Sequence, residues 1–399
     1  MSPDAGASSA REVVTAFAQL GLTGFGGPIA HVGHFHREFV QRRRWLDDAE
    51  FANLVALCQS LPGPASSQLG FAIGLRRAGW PGALGAFVAF TLPSALLLLA
   101  LAAGASWMDR GVGPMLSHGL KLVAVAIVAH GVLQLARRLT PDARRGAIAV
   151  VGLAAMVFVG SAWMQVAVIA AGALVGVVLL RDAPPLAGRS GPASVSRRAA
   201  WVALIAFGVG TGAAVAWASA DPGIASVFAA FWRAGSLVFG GGHVVLPLLE
   251  ESLVGSGWIT PERFLTAYGA AQAIPGPMFS VAAFFGADAA VGVPPAVGAL
   301  VATLAVFAPG FLLFVAVLPA WDRFATSAGA SRAVAGIGAA VVGLLGAAFV
   351  DPVLSSGITG VTDAVIAATG FALLVRDRAT PWVVAWCVAA AALAGLIGI

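Results

Sequence analysis

Gln59-Ser60-Leu61-Pro62-Gly63-Pro64 stops an apolar helical run, and Gln272-Ala273-Ile274-Pro275-Gly276-Pro277 stops another 213 positions later. Proline removes a backbone donor and clashes with the preceding turn, so neither hexapeptide sits inside a continuous helix. The residue before each proline is also pushed away from helical angles. Two broken helices at matching places in two halves point to the binding site of a membrane transporter.

The rest of the chain supplies the membrane. Of 399 residues, 59% are hydrophobic and 10% charged, with a mean hydropathy of +0.91. A soluble domain carries about 25% charged residues, so this chain has too few to cover a surface facing water. The net charge is +5, yet Lys121 is the one lysine among 23 basic residues. The arginines sit in short clusters between apolar runs, as topology signals do, rather than in the stripe of a nucleic-acid binder. No nucleic-acid partner is expected; the lipid bilayer is. Met1 to Ala10 has no basic segment leading into an apolar one, so no cleaved signal peptide is expected. Cys58 and Cys387 lie singly in apolar runs and are expected to be buried thiols.

Apolar runs fall at 13–30, 51–76 (broken), 80–105, 114–136, 145–160, 163–181, 201–219, 225–242, 264–290 (broken), 294–317, 333–350, 358–375 and 380–399. A crossing helix needs roughly 20 apolar residues. With each broken run counted as one crossing, the expectation is an all-α polytopic fold of 13 transmembrane helices. Six per half then flank one extra helix at 201–219, and the halves are inverted. If both broken runs are re-entrant instead, there are 11 crossings and parallel halves, and the positive-inside bias does not separate the two. The halves match beyond the breaks. Phe17, Gly21 and Phe25-Gly26-Gly27 correspond to Phe231, Gly235 and Phe239-Gly240-Gly241, Trp45 to Trp258, and Trp107 to Trp321. A constant register over so many pairs marks an internal repeat. The expected division is a first repeat over 1–181, a cytoplasmic linker with the extra helix over 182–220, and a second repeat over 221–399. Asp47 with Glu50 reads as a capping box, and Thr260 before Pro261 as a helix cap.

A broken helix leaves amides at the start of its second part, where the positive end of the helix dipole favours an anion. This nominates Pro62, Gly63, Pro64, Ser66 and Ser67 in the first half, and Pro275, Gly276, Pro277 and Ser280 in the second, with Gln59 and Gln272 beside them. The bland alternative is a pair of proline kinks that relieve packing. Gly26, Gly27, Gly240 and Gly241 allow a ligand or another helix to approach the backbone closely. Arg233, inside an apolar run, presents a planar fork suited to an oxyanion, and Lys121 is a weaker candidate because it reaches an interface. His31, His34 and His36 do not share one helical face, so no metal site is expected. Gly208-x-Gly210-x-Gly212 follows no strand and no Walker sequence is present, so no nucleotide cofactor is expected.

Phe25-Gly26-Gly27-Pro28-Ile29-Ala30-His31, then Gln59-x-Leu61-Pro62-Gly63-Pro64 and Gly74-x-Arg76-Arg77-x-Gly79-Trp80, resemble the chromate ion transporter family. Phe239-Gly240-Gly241-Gly242 with Pro275-Gly276-Pro277 is similar to its second repeat, as in the long fused form. The resemblance implies a secondary transporter of the bacterial inner membrane that exports chromate, uses the proton gradient and is not an enzyme. It also implies inverted halves, favours the 13-crossing arrangement, and is compatible with a homodimer. Sulfate, another tetrahedral dianion, fits the same residues. The halves differ where Gly242 replaces Pro28 and no histidine matches His31, so unequal contributions to the site are expected.

Overall fold

The computed structural model describes residues 3–104, 113–159, 162–183, 195–218, 223–239, 245–289, 292–376 and 378–397. Trp107, most of the linker and Gly240, Gly241 and Gly242 lie outside the described residues. Among those described, the chain is all helix and turn. The first half contains α1 (Pro3–Thr23), α2 (Gly27–Phe35, continued as a π-helix to Arg42), α3 (Asp48–Ser60), α4 (Ala65–Ala103), α5 (Gly113–Leu139), α6 (Ala143–Val159) and α7 (Ala162–Leu179). Then α8 (Arg197–Ala216) leads to α9 (Ile224–Leu237), α10 (Val245–Leu253), α11 (Pro261–Ala273), α12 (Val281–Ala289), α13 (Pro295–Val317) and the short α14 (Trp321–Ala325). The chain closes with α15 (Ala328–Ala348), the single turn α16 (Ser355–Gly357), α17 (Val361–Val375) and α18 (Thr380–Ile397). Five described stretches are long and apolar enough to cross a membrane, and α9, α17 and α18 are shorter apolar helices. The protein is a multi-pass membrane protein.

Both expected starts are present. Asp47 accepts from the Glu50 amide and Glu50 returns a bond to the Asp47 amide, while Thr260 accepts from the Arg263 amide. Both breaks are present too, each with its glycine in the left-handed region, Gly63 at φ 122° and Gly276 at φ 112°.

What changes is where the chain goes after a break. Glu50 at the start of α3 pairs with Arg76, well into α4, so the chain has turned back on itself. In the second half Arg263 at the start of α11 holds Asp288 at the end of α12, with Nη2 to Oδ1 at 2.7 Å. A run that crossed once would separate these ends by the thickness of the bilayer, about 30 Å. The single-crossing reading of 51–76 and 264–290 is therefore corrected: both are re-entrant hairpins. The run 13–30 turns back as well, at the left-handed Gly26 and Gly27. Glu12 on α1 bonds Arg77 at 2.8 Å and Arg43 at 3.3 Å, which brings the entrances of both first-half hairpins together. Ala78 and Gly79 then break α4, and its second part begins at Trp80.

Glycine sets how closely the hairpins approach the long helices. A Cβ on Gly21 would meet Ala89 O at 2.8 Å, and one on Gly235 would meet Val306 O at 2.2 Å. The repeat thus places α1 on the second part of α4 as it places α9 on α13. The breaks interlock across the repeats: Gly63 N donates to Val238 O at 2.7 Å, and Gly276 N donates to Gly24 O at 3.0 Å. Gly24 and Val238 stand in the same register of the repeat. The α5 helix orients the hairpins. Ser117 O, near its start, accepts from Thr266 Oγ1 close to the entrance of the α11–α12 hairpin, whereas Arg138 at its end reaches Gln59 at the inner tip of α3. The crossings are fewer than one per apolar run, but two repeats with discontinuous helices remain. Cys58 and Cys387 are buried and free.

Candidate functional site

Beside the helix ends that flank the first break, and reached by Gln272 from before the second, lies a cavity of about 490 Å³. Ligand sites usually measure about 300–1,000 Å³. Gln59 and Ser66 bring the first break to its wall and Gln272 the second. Gly26, Pro28, Ala30 and His34 bring the start and middle of α2. The α5 helix contributes His130, Gln134 and Arg138 at four-residue spacing, which puts them on one face. The turn between α17 and α18 adds Arg378 and Thr380. Among these described lining residues there is no aspartate or glutamate.

The lining is rich in hydrogen-bond donors. Arg138 Nη2 donates to Gln59 Oε1, which ties α5 to the end of α3. Gln134 and His130 are within hydrogen-bond distance at 3.2 Å. Ser66 stands in the first turn of α4, whose first amides have no acceptor within their own helix. Two guanidinium groups, two imidazoles and a helix N-terminus thus line one cavity.

Of the residues nominated from sequence, Gly26, Gln59, Ser66 and Gln272 line the cavity. Gly27 begins α2 just outside its lining. Pro62, Gly63 and Pro64 form the turn behind it, pressed against α13: a Cβ on Gly63 would lie 2.7 Å from Gly310 Cα. Gln68 closes that turn by donating from Nε2 to Pro62 O at 2.9 Å and Gly310 O at 2.8 Å. Ser67 Oγ is buried with no protein partner among the described residues. Pro275, Gly276 and Pro277 pack on the middle of α4, where Ser280 accepts a 2.7 Å bond from Ser94. Arg233 lies away from the cavity, its Nη2 3.3 Å from Ser252 Oγ on α10. Gly240 and Gly241 lie outside the described residues. His31 donates from Nε2 to Gly24 O at 3.0 Å, inside the fold.

Sequence reasoning passed over Arg138, Arg378, His130, Gln134 and Gln68. Arg138 and Arg378 end apolar helices, where a cation usually marks the membrane boundary. The i, i+4, i+8 ladder of His130, Gln134 and Arg138 was the one available signal, a polar face on an apolar helix.

Residues 11–177 and 225–396 match the family described as "Chromate transporter". The chain is 31% identical over 352 residues to the "Probable chromate transport protein" of Synechococcus elongatus, covering 86% of this chain and 84% of that one. It is 30% identical over 350 residues to the "Chromate transport protein" of Pseudomonas aeruginosa, covering 84% and 79%. It is 29% identical over 396 residues to the "Chromate transport protein" of Cupriavidus metallidurans, covering 97% and 92%. No solved structure matches it.

Proposed function

The chain belongs to the chromate transporter family, and we propose that it exports chromate from the cytoplasm by alternating access, drawing on the proton gradient and leaving the ion chemically unchanged. The observation that carries this reading is the cavity itself: Arg138, Arg378 and the α4 N-terminus converge beside the first break, with Gln272 of the second repeat and no carboxylate among the described lining residues. A dianion stripped of water needs such concentrated positive potential, and transporters place it where broken helices meet.

The distribution of arginine supports a cytoplasmic mouth. With the hairpins re-entrant, the second part of α4, α5, α6, α7, α8, α13, α15, α17 and α18 remain to cross. An equal set lies on either side of α8, so the repeats are inverted. This arrangement puts Arg42, Arg43, Arg44, Arg76 and Arg77 on one face with Arg137, Arg138, Arg144, Arg145, Arg181, Arg197, Arg198, Arg323, Arg332, Arg376 and Arg378. Lys121, Arg233 and Arg263 fall in the other half. Basic residues accumulate in the cytoplasm, so the face bearing Arg138 and Arg378 is cytoplasmic, and the cavity opens to the compartment from which an exporter loads.

Sulfate or another tetrahedral oxyanion is the second reading, because the cavity's donors recognise charge and shape rather than the central atom. Flux of labelled chromate into inside-out vesicles, with sulfate as competitor, tests both. Saturable uptake that sulfate does not reduce supports chromate; stronger uptake of sulfate moves the assignment to sulfate; no oxyanion flux ends the transport reading. Reporter fusions at the 182–200 linker and beyond residue 397 test the arrangement, with the linker inside and the chain end outside as the expected result.

A further inference from the structure

His118 and Asp363 form an ionisable pair that lies apart from the cavity. Asp363, in the first turn of α17, is 6% exposed and accepts three hydrogen bonds. They come from Thr359 N at 2.9 Å, Thr359 Oγ1 at 2.6 Å and His118 Nε2 at 2.7 Å. His118 lies near the start of α5. An ionisable group among transmembrane helices is expensive to keep, which makes it a functional candidate together with its partner.

The pair joins the two helices whose far ends build the cavity. From His118 along α5 it is about 18 Å to His130, and Arg138 lies further on in the same direction. From Asp363 along α17 the chain reaches Leu374 and then Arg378, which also line the cavity. Both helices therefore run from this pair to the oxyanion donors, and the pair sits toward the membrane face opposite the arginine-rich one. Thr359 satisfies Asp363 twice, so the carboxylate is held in place whichever form His118 takes. Neutral His118 gives Asp363 one hydrogen bond, whereas imidazolium adds the attraction of opposite charges.

Other charged groups on the elements packed against this end are few. Lys121 is one turn along α5, and Glu262 and Arg263 begin α11, with Arg263 held by Asp288. Asp351 follows α15, and the described residues of α18 carry no charge. Of these charged groups, Asp363 is the one that contacts the imidazole.

We propose that His118, paired with Asp363, binds the coupling proton from the external side and transmits its occupancy to the cavity through α5 and α17. The step is a simple protonation: neutral imidazole takes one proton from external water, becomes imidazolium against Asp363, and returns the proton to water after the conformational change. The proposal rests on the transport reading, and the test separates the two.

Purified protein in proteoliposomes is assayed for chromate–chromate exchange without a gradient and for chromate accumulation driven by a pH gradient. No exchange by the wild type refutes the transport reading; exchange without gradient-driven accumulation refutes the coupling proposal alone. His118→Gln is expected to keep exchange within about threefold and to lose gradient-driven accumulation by about tenfold or more. Accumulation retained by this variant overturns the assignment. If it does not fold, His118→Lys, which fixes a cation beside Asp363, is held to the same criterion. A folded variant that loses exchange and accumulation together makes the pair structural and also overturns the proposal.

Discussion

The two Pro-Gly-Pro turns are built alike and placed differently. Each holds its glycine in the left-handed region, and each gives that glycine's amide to a carbonyl of the other repeat. After Pro64 the chain enters α4 directly, and Ser66 in its first turn faces the cavity. After Pro277 it first makes a 3-10 turn, Met278–Ser280, whose serine is bonded to Ser94 inside the fold. Arg138, His34 and His130 come from the first half, while the second contributes Gln272, Arg378 and Thr380. The hairpin clasps differ in polarity as well: Glu50 and Arg76 in the first half stand where Arg263 and Asp288 stand in the second. An internal repeat preserves a backbone path more faithfully than it preserves a chemical role.

The sharpest way to break this comparison is to remove cations on each side. Arg138→Gln is expected to raise the chromate concentration for half-maximal flux by roughly ten- to a hundredfold, the worth of a charge-assisted hydrogen bond of about 1.5–3 kcal/mol. Arg233→Gln should shift it by less than about threefold, since Arg233 lies away from the cavity. A large loss at Arg233 with none at Arg138 would move the binding role from the cavity to α9.

The turns themselves come next. Gly63→Ala forces a left-handed alanine against the backbone of Gly310 and should cost about 3 kcal/mol or more of stability. Gly276→Ala, equally left-handed, meets Ser94 Oγ at 2.7 Å and Ser94 Cβ at 2.9 Å, a side-chain rather than a backbone contact, and should cost about 1–3 kcal/mol. Unfolding in detergent micelles measures both, and equal losses would erase the distinction between a backbone-locked turn and a side-chain-locked one.

Smaller effects separate the clasps. Arg263→Gln should destabilise more than Arg76→Gln, because Arg263 grips Asp288 with two nitrogens. Both side chains are partly exposed, so the difference should stay within about 1 kcal/mol. The reverse order, or a stability gain from either substitution, would remove the clasps from the account of the hairpins.

The smallest effect is a pH dependence arising at the first-half entrances. The hydrogen bond from Arg77 holds the Glu12 carboxyl below its usual value of 4.5. Burial pushes Glu38 up, but its bonds to Arg43 and Arg42 outweigh that and hold it below 4.5 as well. A depressed folded value means stabilisation fully present above about pH 4.5 and lost as pH falls through the lower values. Melting curves between pH 7 and 3 should show this loss, reduced in Arg77→Gln. The same loss in that variant would remove the entrance network as its cause.

The breaks, the repeat, both helix starts and the buried thiols were legible because each depends on local sequence. The direction taken after a break was not. A long apolar run looks the same whether it crosses or returns, and hydropathy has no term for reversal. Glu50 and Arg76, or Arg263 and Asp288, carried the missing information as opposite charges flanking each break, but spacing alone does not say that they meet. The cavity's cations were hidden for a related reason: Arg138 and Arg378 occupy positions where membrane helices ordinarily end in arginine. Arg233 drew attention because it interrupts an apolar run, and its guanidinium reaches Ser252 of a neighbouring helix rather than the cavity lining.

The reciprocal bonds between Gly63 and Val238, and between Gly276 and Gly24, also set a timetable for biosynthesis. When the ribosome has completed the first hairpins, the Gly63 amide is already inside the lipid, and its acceptor has not been made. It waits until residue 238 emerges, and Gly24 O waits until residue 276. Until residue 238 is made, the Gly63 amide therefore lacks the acceptor that it has in the folded chain. A chain cut between Gly63 and Val238 would keep both first-half groups and lose both of their partners.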